Sequence, residues 1–171
     1  MELRIRPATL PEIDRLEGDT LALDLFVEER PPRGLAGLVD WRLNGLLSDW
    51  LAGGEFDPAG ETPLLFGGST RIGVQRLCLL PLGRRSGLSA PMLPRMCDTF
   101  ADVLARSGAQ RIASAVPGVL ASRATGEQAV EAWLAALGVH LPKVELTLLL
   151  PEPQVAVAAR LGRSSGWYLR D

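Results

Sequence analysis

Apolar positions recur along the chain with two periods, two and 3.6. Leu3 and Ile5 alternate with charged residues and predict a short half-buried strand. Pro7 and Pro11 interrupt the next stretch. Leu21, Leu23, Leu25 and Val27 alternate over residues 20–27, with Phe26 added, and predict a second strand that Pro31 and Pro32 end. Over residues 33–52, Leu35, Leu38, Val39, Leu43, Leu46, Leu47 and Trp50 fall on one stripe at helical spacing. That predicts a single long helix, stopped by Gly53-Gly54. Residues 62–66 read as a short strand ending at Gly67-Gly68. Residues 75–82 form a near-continuous apolar run, as expected of a central strand covered on both faces.

Ser89 is placed to cap the next helix, with Pro91 in its first turn. Leu93, Met96, Cys97, Phe100, Val103 and Leu104 form its buried stripe, and Gly108 ends it. Residues 111–116 read as another strand. Thr125 with Gln128 makes a capping box for a helix carrying Ala129, Val130, Trp133, Leu134 and Leu137, ended by Gly138. Residues 144–150 predict a strand, and 154–161 a short helix. Residues 162–171 read as a C-terminal tail. Strands alternating with helices predict an α/β domain over residues 1–161, with helices on both faces of a mixed, largely parallel sheet.

Composition narrows the setting. A chain of 171 residues makes one domain and can bury roughly 70% of its unfolded surface. The net charge of −2 gives no electrostatic reason for a nucleic-acid or membrane partner. Cys78 lies in an apolar run and Cys97 on an apolar helix face, so both read as buried thiols in a reducing compartment. The N-terminus has no apolar h-region. No apolar run approaches the ~20 residues needed to span a bilayer. The expected location is the cytoplasm.

The catalytic inventory is thin. His140 is the only histidine, and its place beside Leu141-Pro142 reads as a loop or strand edge. Two cysteines and one histidine, far apart, match no metal-ligand spacing. Most carboxylates, including Glu28, Glu29, Asp40 and Asp49, read as solvated charge. Gly67-Gly68-Ser69-Thr70-Arg71 reads as a turn rather than a phosphate cradle, because it does not run into a helix. Gly83-Arg84-Arg85-Ser86-Gly87 is the better anion candidate, weighed against a solvated loop. It comes after a central strand and before a helix, where open α/β sheets bind ligands.

Three segments carry a resemblance. They are the amphipathic stretch before Gly53, the segment Gly53-Gly54-Glu55-Phe56-Asp57-Pro58-Ala59-Gly60-Glu61-Thr62, and the strand and turn from Arg76 to Arg85. In that order the chain resembles the N-terminal, non-catalytic domain of the leucyl (cytosol) aminopeptidase family, over roughly residues 20–137. Pro58 and Pro81 stand where that family usually has glycine. The resemblance implies a three-layer α/β/α fold similar to the macro domain. The family's catalytic signature, Asn-Thr-Asp-Ala-Glu-Gly-Arg, is absent, so no catalytic residue transfers. The resemblance therefore implies a stand-alone, non-enzymatic relative without cofactor or metal. It would act by assembling with itself, with a separately encoded peptidase or with another protein. The macro-like fold also raises a small-ligand module binding a nucleotide or other anion. ADP-ribose in particular needs clustered glycines where Pro31-Pro32-Arg33-Gly34-Leu35-Ala36-Gly37 offers separated ones.

Trp41 lies almost opposite the apolar stripe of the long helix, among Gly37, Asn44, Gly45, Ser48 and Ala52. It reads either as an interface anchor or as a ring covered by a loop or by the Trp167-Tyr168-Leu169 tail of the same chain. The candidate interface is therefore Gly37, Trp41, Gly45, Ser48, Trp167 and Tyr168.

Overall fold

The computed structural model describes residues 1–67, 71–119 and 123–170, without the side chains of 123–125. Gly68, Ser69 and Thr70 of the expected turn, and the Thr125 half of the expected capping box, lie outside the described residues. The elements run β1 (Glu2–Pro7), α1 (Leu10–Asp14), β2 (Gly18–Leu25), α2 (Gly34–Arg42), α3 (Leu46–Gly53), β3 (Leu64–Gly67) and β4 (Val74–Pro81). Then come α4 (Leu93–Arg106), β5 (Arg111–Ser114), α5 (Arg123–His140), β6 (Glu145–Leu150), α6 (Glu152–Ser164) and β7 (Tyr168–Leu169).

Among the described residues, seven strands form one sheet in the order β3-β4-β2-β5-β6-β1-β7. Only the β3–β4 pairing is antiparallel; the other five are parallel. The mixed, largely parallel sheet is the one the sequence predicts. Alternation along the strands sorts side chains between two cores. Leu21, Leu23 and Leu25 of β2, with Leu77 and Leu79 of β4, meet α1, α2 and α3. Ala22 and Phe26, with Cys78 and Leu80, face α4, α5 and α6. Each fully buried leucine here contributes about 1.5–3 kcal/mol relative to exposure. The result is an α/β/α sandwich. No helix among the described residues is long and apolar enough to cross a membrane.

The long helix expected over residues 33–52 is two helices. Asn44 and Gly45 take positive φ values of 60° and 84°, which breaks the ladder between α2 and α3. Asp40, near the end of α2, then caps α3. Its carboxylate accepts the backbone N–H groups of Leu47 at 2.7 Å and Ser48 at 3.1 Å, and the Ser48 hydroxyl at 2.6 Å. Asp40 is therefore buried, not solvated. Both helices lay their apolar residues on the same sheet face, so one stripe runs through the break.

Other boundaries differ as well. Ser89 makes no side-chain cap; Pro91 sits in a 3-10 turn (Ala90–Met92), and α4 starts at Leu93. Helix α5 runs through Gly138 to His140, and Met1 packs at Gly138, where a Cβ would meet Met1 Sδ at 3.3 Å. A helix-interior glycine costs only about 1 kcal/mol. Residues 162–170 of the expected tail are packed against the domain, and Asp171 lies outside the described residues. Gly162 to Ser164 complete α6, Trp167 is buried in the core, and Tyr168–Leu169 pair with β1.

Asp40→Ala leaves two helix N-terminal N–H groups without their acceptor. It is expected to cost about 2 kcal/mol, read from urea unfolding. An unchanged midpoint would reject this account of the break.

Candidate functional site

Strand β2 passes the chain to the α1–α3 face, while its neighbours β4 and β5 pass it to the α4–α6 face. Such reversals open crevices at the carboxyl ends of parallel strands. One crevice lies between β2 and β4, the other between β2 and β5.

The first is filled by the protein itself. The backbone N–H of Arg85 donates to both oxygens of Glu28, at 3.2 and 3.1 Å. The Arg85 guanidinium donates to Glu29 at 2.6 Å and stacks over Phe26, 4.4 Å from the ring centre. Residues 85–87 form a short 3-10 turn beyond Gly83, whose positive φ makes the bend. So in the candidate anion loop Arg85 is engaged by carboxylates of its own chain. Arg84, Ser86 and Gly87 are exposed on the outside of the turn. The Glu28 carboxyl is lowered from its usual pKa, chiefly by the Arg85 N–H. Glu29 is buried, and burial raises it against the pull of Arg85. The reading of Glu29 as solvated charge is corrected by this pairing.

The second crevice is open. It is a cleft of about 330 Å³ beneath the first turns of α2, lined by Asp24, Glu29, Arg33, Leu35, Leu38, Ala115, Val119 and Leu149 among others. Pairing of β2 with β5 stops at Ala22–Ser114, so Asp24 stands past the end of β5. It accepts the Gly118 N–H at 3.1 Å. Burial, with the nearby Glu29 charge, raises its pKa from 3.8 to about 6. Sequence reasoning does not single out Asp24. The available signal is an acid inside the apolar run Leu21-Ala22-Leu23-Asp24-Leu25-Phe26, at the carboxyl end of a parallel strand.

The expected interface residues do not form one surface. Gly37, Trp41 and Gly45 line a shallow depression with Pro31, Pro32, Asn44 and Arg71. Ser48 lies on the other side of Pro31-Pro32. Trp41 is 64% exposed, with the Arg42 guanidinium 5.4 Å from its ring centre. Arg42 itself is bonded to Asp14. Gly37 is small for an internal reason: a Cβ there would stand 2.7 Å from the Pro32 carbonyl oxygen. Gly45 supplies the left-handed turn between the helices. Trp167 is core and Tyr168 is exposed at the β7 edge, with β5, β6 and β1 between it and β2. The tail therefore does not cover Trp41.

His140 bonds Asp98 of α4 through Nε2 at 2.7 Å, tying α5 to α4. Burial pushes the Cys78 thiol up to about 11 and Cys97 to about 12. Among the described residues no group of three or more His, Cys, Asp or Glu is placed to hold a metal.

No family model matches the chain. A probable cytosol aminopeptidase of Thermosynechococcus vestitus is 30% identical over 180 residues, covering 99% of this chain and 35% of that protein. The chain resembles the N-terminal part of that enzyme. It spans about a third of the length of this curated relative. A tomato leucine aminopeptidase variant superposes with a TM-score of 0.66 at 18% identity, over 96% of this chain and 35% of that one. A Trypanosoma brucei macrodomain in complex with ADP-ribose gives 0.69 at 12% identity, over 93% and 68%. At those identities the structural likeness is one of fold, and the fold is macro-like. The aminopeptidase-like segments touch one another here: the Pro58 carbonyl accepts the Gly83 N–H at 2.8 Å, and Phe56 is buried against the α1–α3 core.

Asp24 makes stability depend on pH with a definite sign. Between 3.8 and about 6 the folded chain holds a proton that the unfolded chain has released. This contribution is full at low pH and is lost as pH rises through about 6. Asp24→Asn keeps an acceptor for Gly118 and removes the titration. The variant is expected to melt higher than the parent at about pH 7.5 and alongside it near about pH 4. Equal melting at both pH values would contradict the raised pKa.

Proposed function

We propose that this chain is a non-catalytic relative of the aminopeptidase N-terminal domain that works by protein–protein contact. Its partner is a second copy, a separately encoded peptidase or another protein. The observation that carries this reading is the 64% exposed Trp41, beside a depression of about 830 Å³. Tryptophan is enriched at interface hot spots. The residues around it are fixed by their own contacts: Arg42 by Asp14, Asn44 by Arg71, and the helix break by Asp40. A surface already ordered loses less entropy on binding. Likeness to the N-terminal part of an aminopeptidase favours the reading, since that part is not the catalytic one.

ADP-ribose, held by the T. brucei macrodomain, is outside this proposal. The absent Cβ of Gly37 is needed for the chain's own Pro32 carbonyl, not for a ligand's phosphate.

Trp41→Ala is expected to leave the melting temperature unchanged and to weaken association by ~2 kcal/mol or more. Sedimentation of the purified chain, alone and with the candidate partner, checks this. Unchanged mass and unchanged partner binding would reject the interface.

The chain is also expected to hydrolyse no leucyl-amide substrate, with zinc or manganese added. Turnover that tracks the protein through purification and vanishes with chelator would sink the non-catalytic reading.

A further inference from the structure

The cleft beside Asp24 is an unused site with an uneven lining. One end is charged, with Asp24 on β2, Glu29 after it and Arg33 ahead of α2. The other end is aliphatic, from Leu35 and Leu38 of α2, Val119 after β5 and Leu149 of β6. Glu29 already has a partner in Arg85. Asp24 accepts the Gly118 N–H, feels the Arg85 charge, and has no cationic side chain bonded to it among the described residues. Arg33 is exposed at the mouth, close enough to Glu29 to act on its charge. The volume of about 330 Å³ is at the small end for ligand sites.

We propose that this cleft binds a free aliphatic α-amino acid, of leucine size. The ammonium meets Asp24, the carboxylate meets Arg33, and the side chain lies among Leu35, Leu38, Val119 and Leu149. Each part of the ligand answers a part of the lining. A lone carboxylate in a poorly hydrated cleft is costly, and an ammonium with three donors relieves it. The aliphatic end excludes water without offering hydrogen bonds, which suits a branched hydrocarbon. With Glu29 offset by Arg85, Asp24 and Arg33 are left as one negative and one positive charge, and an anion alone meets the unrelieved Asp24 carboxylate.

The site also sets a pH dependence. The groups acting on Asp24 are Glu29, Arg85, the Gly118 N–H and, from α4, the Cys97 thiol, while Arg33 lines the same cleft. Cys97 stays protonated with a pKa of about 12. Asp24, at about 6, therefore governs binding between pH 5 and 7. Its neutral form offers no charge to the ammonium, so affinity falls roughly tenfold from about pH 7 to about pH 5.

The test titrates three compounds into the full chain and reads amide chemical shifts: L-leucine, 3-methylbutylamine and 4-methylpentanoate. The amine lacks the carboxylate and the acid lacks the ammonium. Leucine is expected to saturate with Kd on the order of 1 mM or tighter, shifting the amides of Leu35, Gly118 and Val119. The acid is expected to bind at least about tenfold more weakly. Asp24→Asn should abolish leucine binding. Arg33→Ala should weaken leucine but leave the amine unchanged. No leucine-dependent shift, shifts confined to residues away from the cleft, or equal binding of leucine and 4-methylpentanoate would each overturn the proposal. Because the three compounds are compared on the unmodified chain, the outcome does not depend on a variant folding.

Discussion

The structure depends on β2 being dry on both faces. Leu21, Leu23 and Leu25 fill one core, while Ala22 and Phe26 face the other. Each of its neighbours, β4 and β5, is bonded to it in parallel. A strand in that position has no solvated face on which to carry charge. Of its two acids, Asp24 sits one residue before its carboxyl end, beyond the last pairing with β5. The raised pKa comes from the same burial that holds the sheet together. The cleft is thus a consequence of how the core is built: Asp24 stands where the central strand stops being covered on the β5 side.

The strands and the layer pattern are legible because burial writes a period of two into the sequence. The break between α2 and α3 is not legible from periodicity, since both helices pack on one face and the leucines keep their spacing through it. Local chemistry holds the missing signal. Asn44-Gly45 is a left-handed pair in the middle of the stripe, and an Asp precedes it by four residues. Strand β7 leaves no pattern at all. It is held by backbone bonds, Tyr168 N–H to the Met1 carbonyl and Arg170 N–H to the Leu3 carbonyl, which any sequence can make.

The site is half legible. The carboxyl end of a central strand is a sound place to look, but β2 has a crevice on each side. Sequence reasoning favours the β4 side because Arg84 and Arg85 stand there as visible charge. Their counter-charges, Glu28 and Glu29, lie more than 50 positions away and look like a solvated pair. Only the fold shows that the cation is neutralised within the chain. On the other side Asp24 is visible as an oddity in an apolar run, and its surroundings come from four separate elements. Trp41 does lie off the apolar stripe, yet helical angle assigns its neighbours across a helix that does not continue.

One short helix carries both candidate surfaces. Leu35 and Leu38 of α2 line the cleft, and Gly37 and Trp41 line the depression outside it. The helix is nine residues long, pinned at its end by Asp40 reaching into α3 and at its start by Pro32 against Gly37. With so few turns, α2 cannot shift at one end and stay fixed at the other. A ligand that moves Leu38 acts on Trp41 one turn away. Linkage then requires that a partner on Trp41 change ligand affinity by the same free energy. Any such coupling would rest on side chains particular to α2 and not on the macro-like frame, which is why a likeness of fold alone does not carry a function with it.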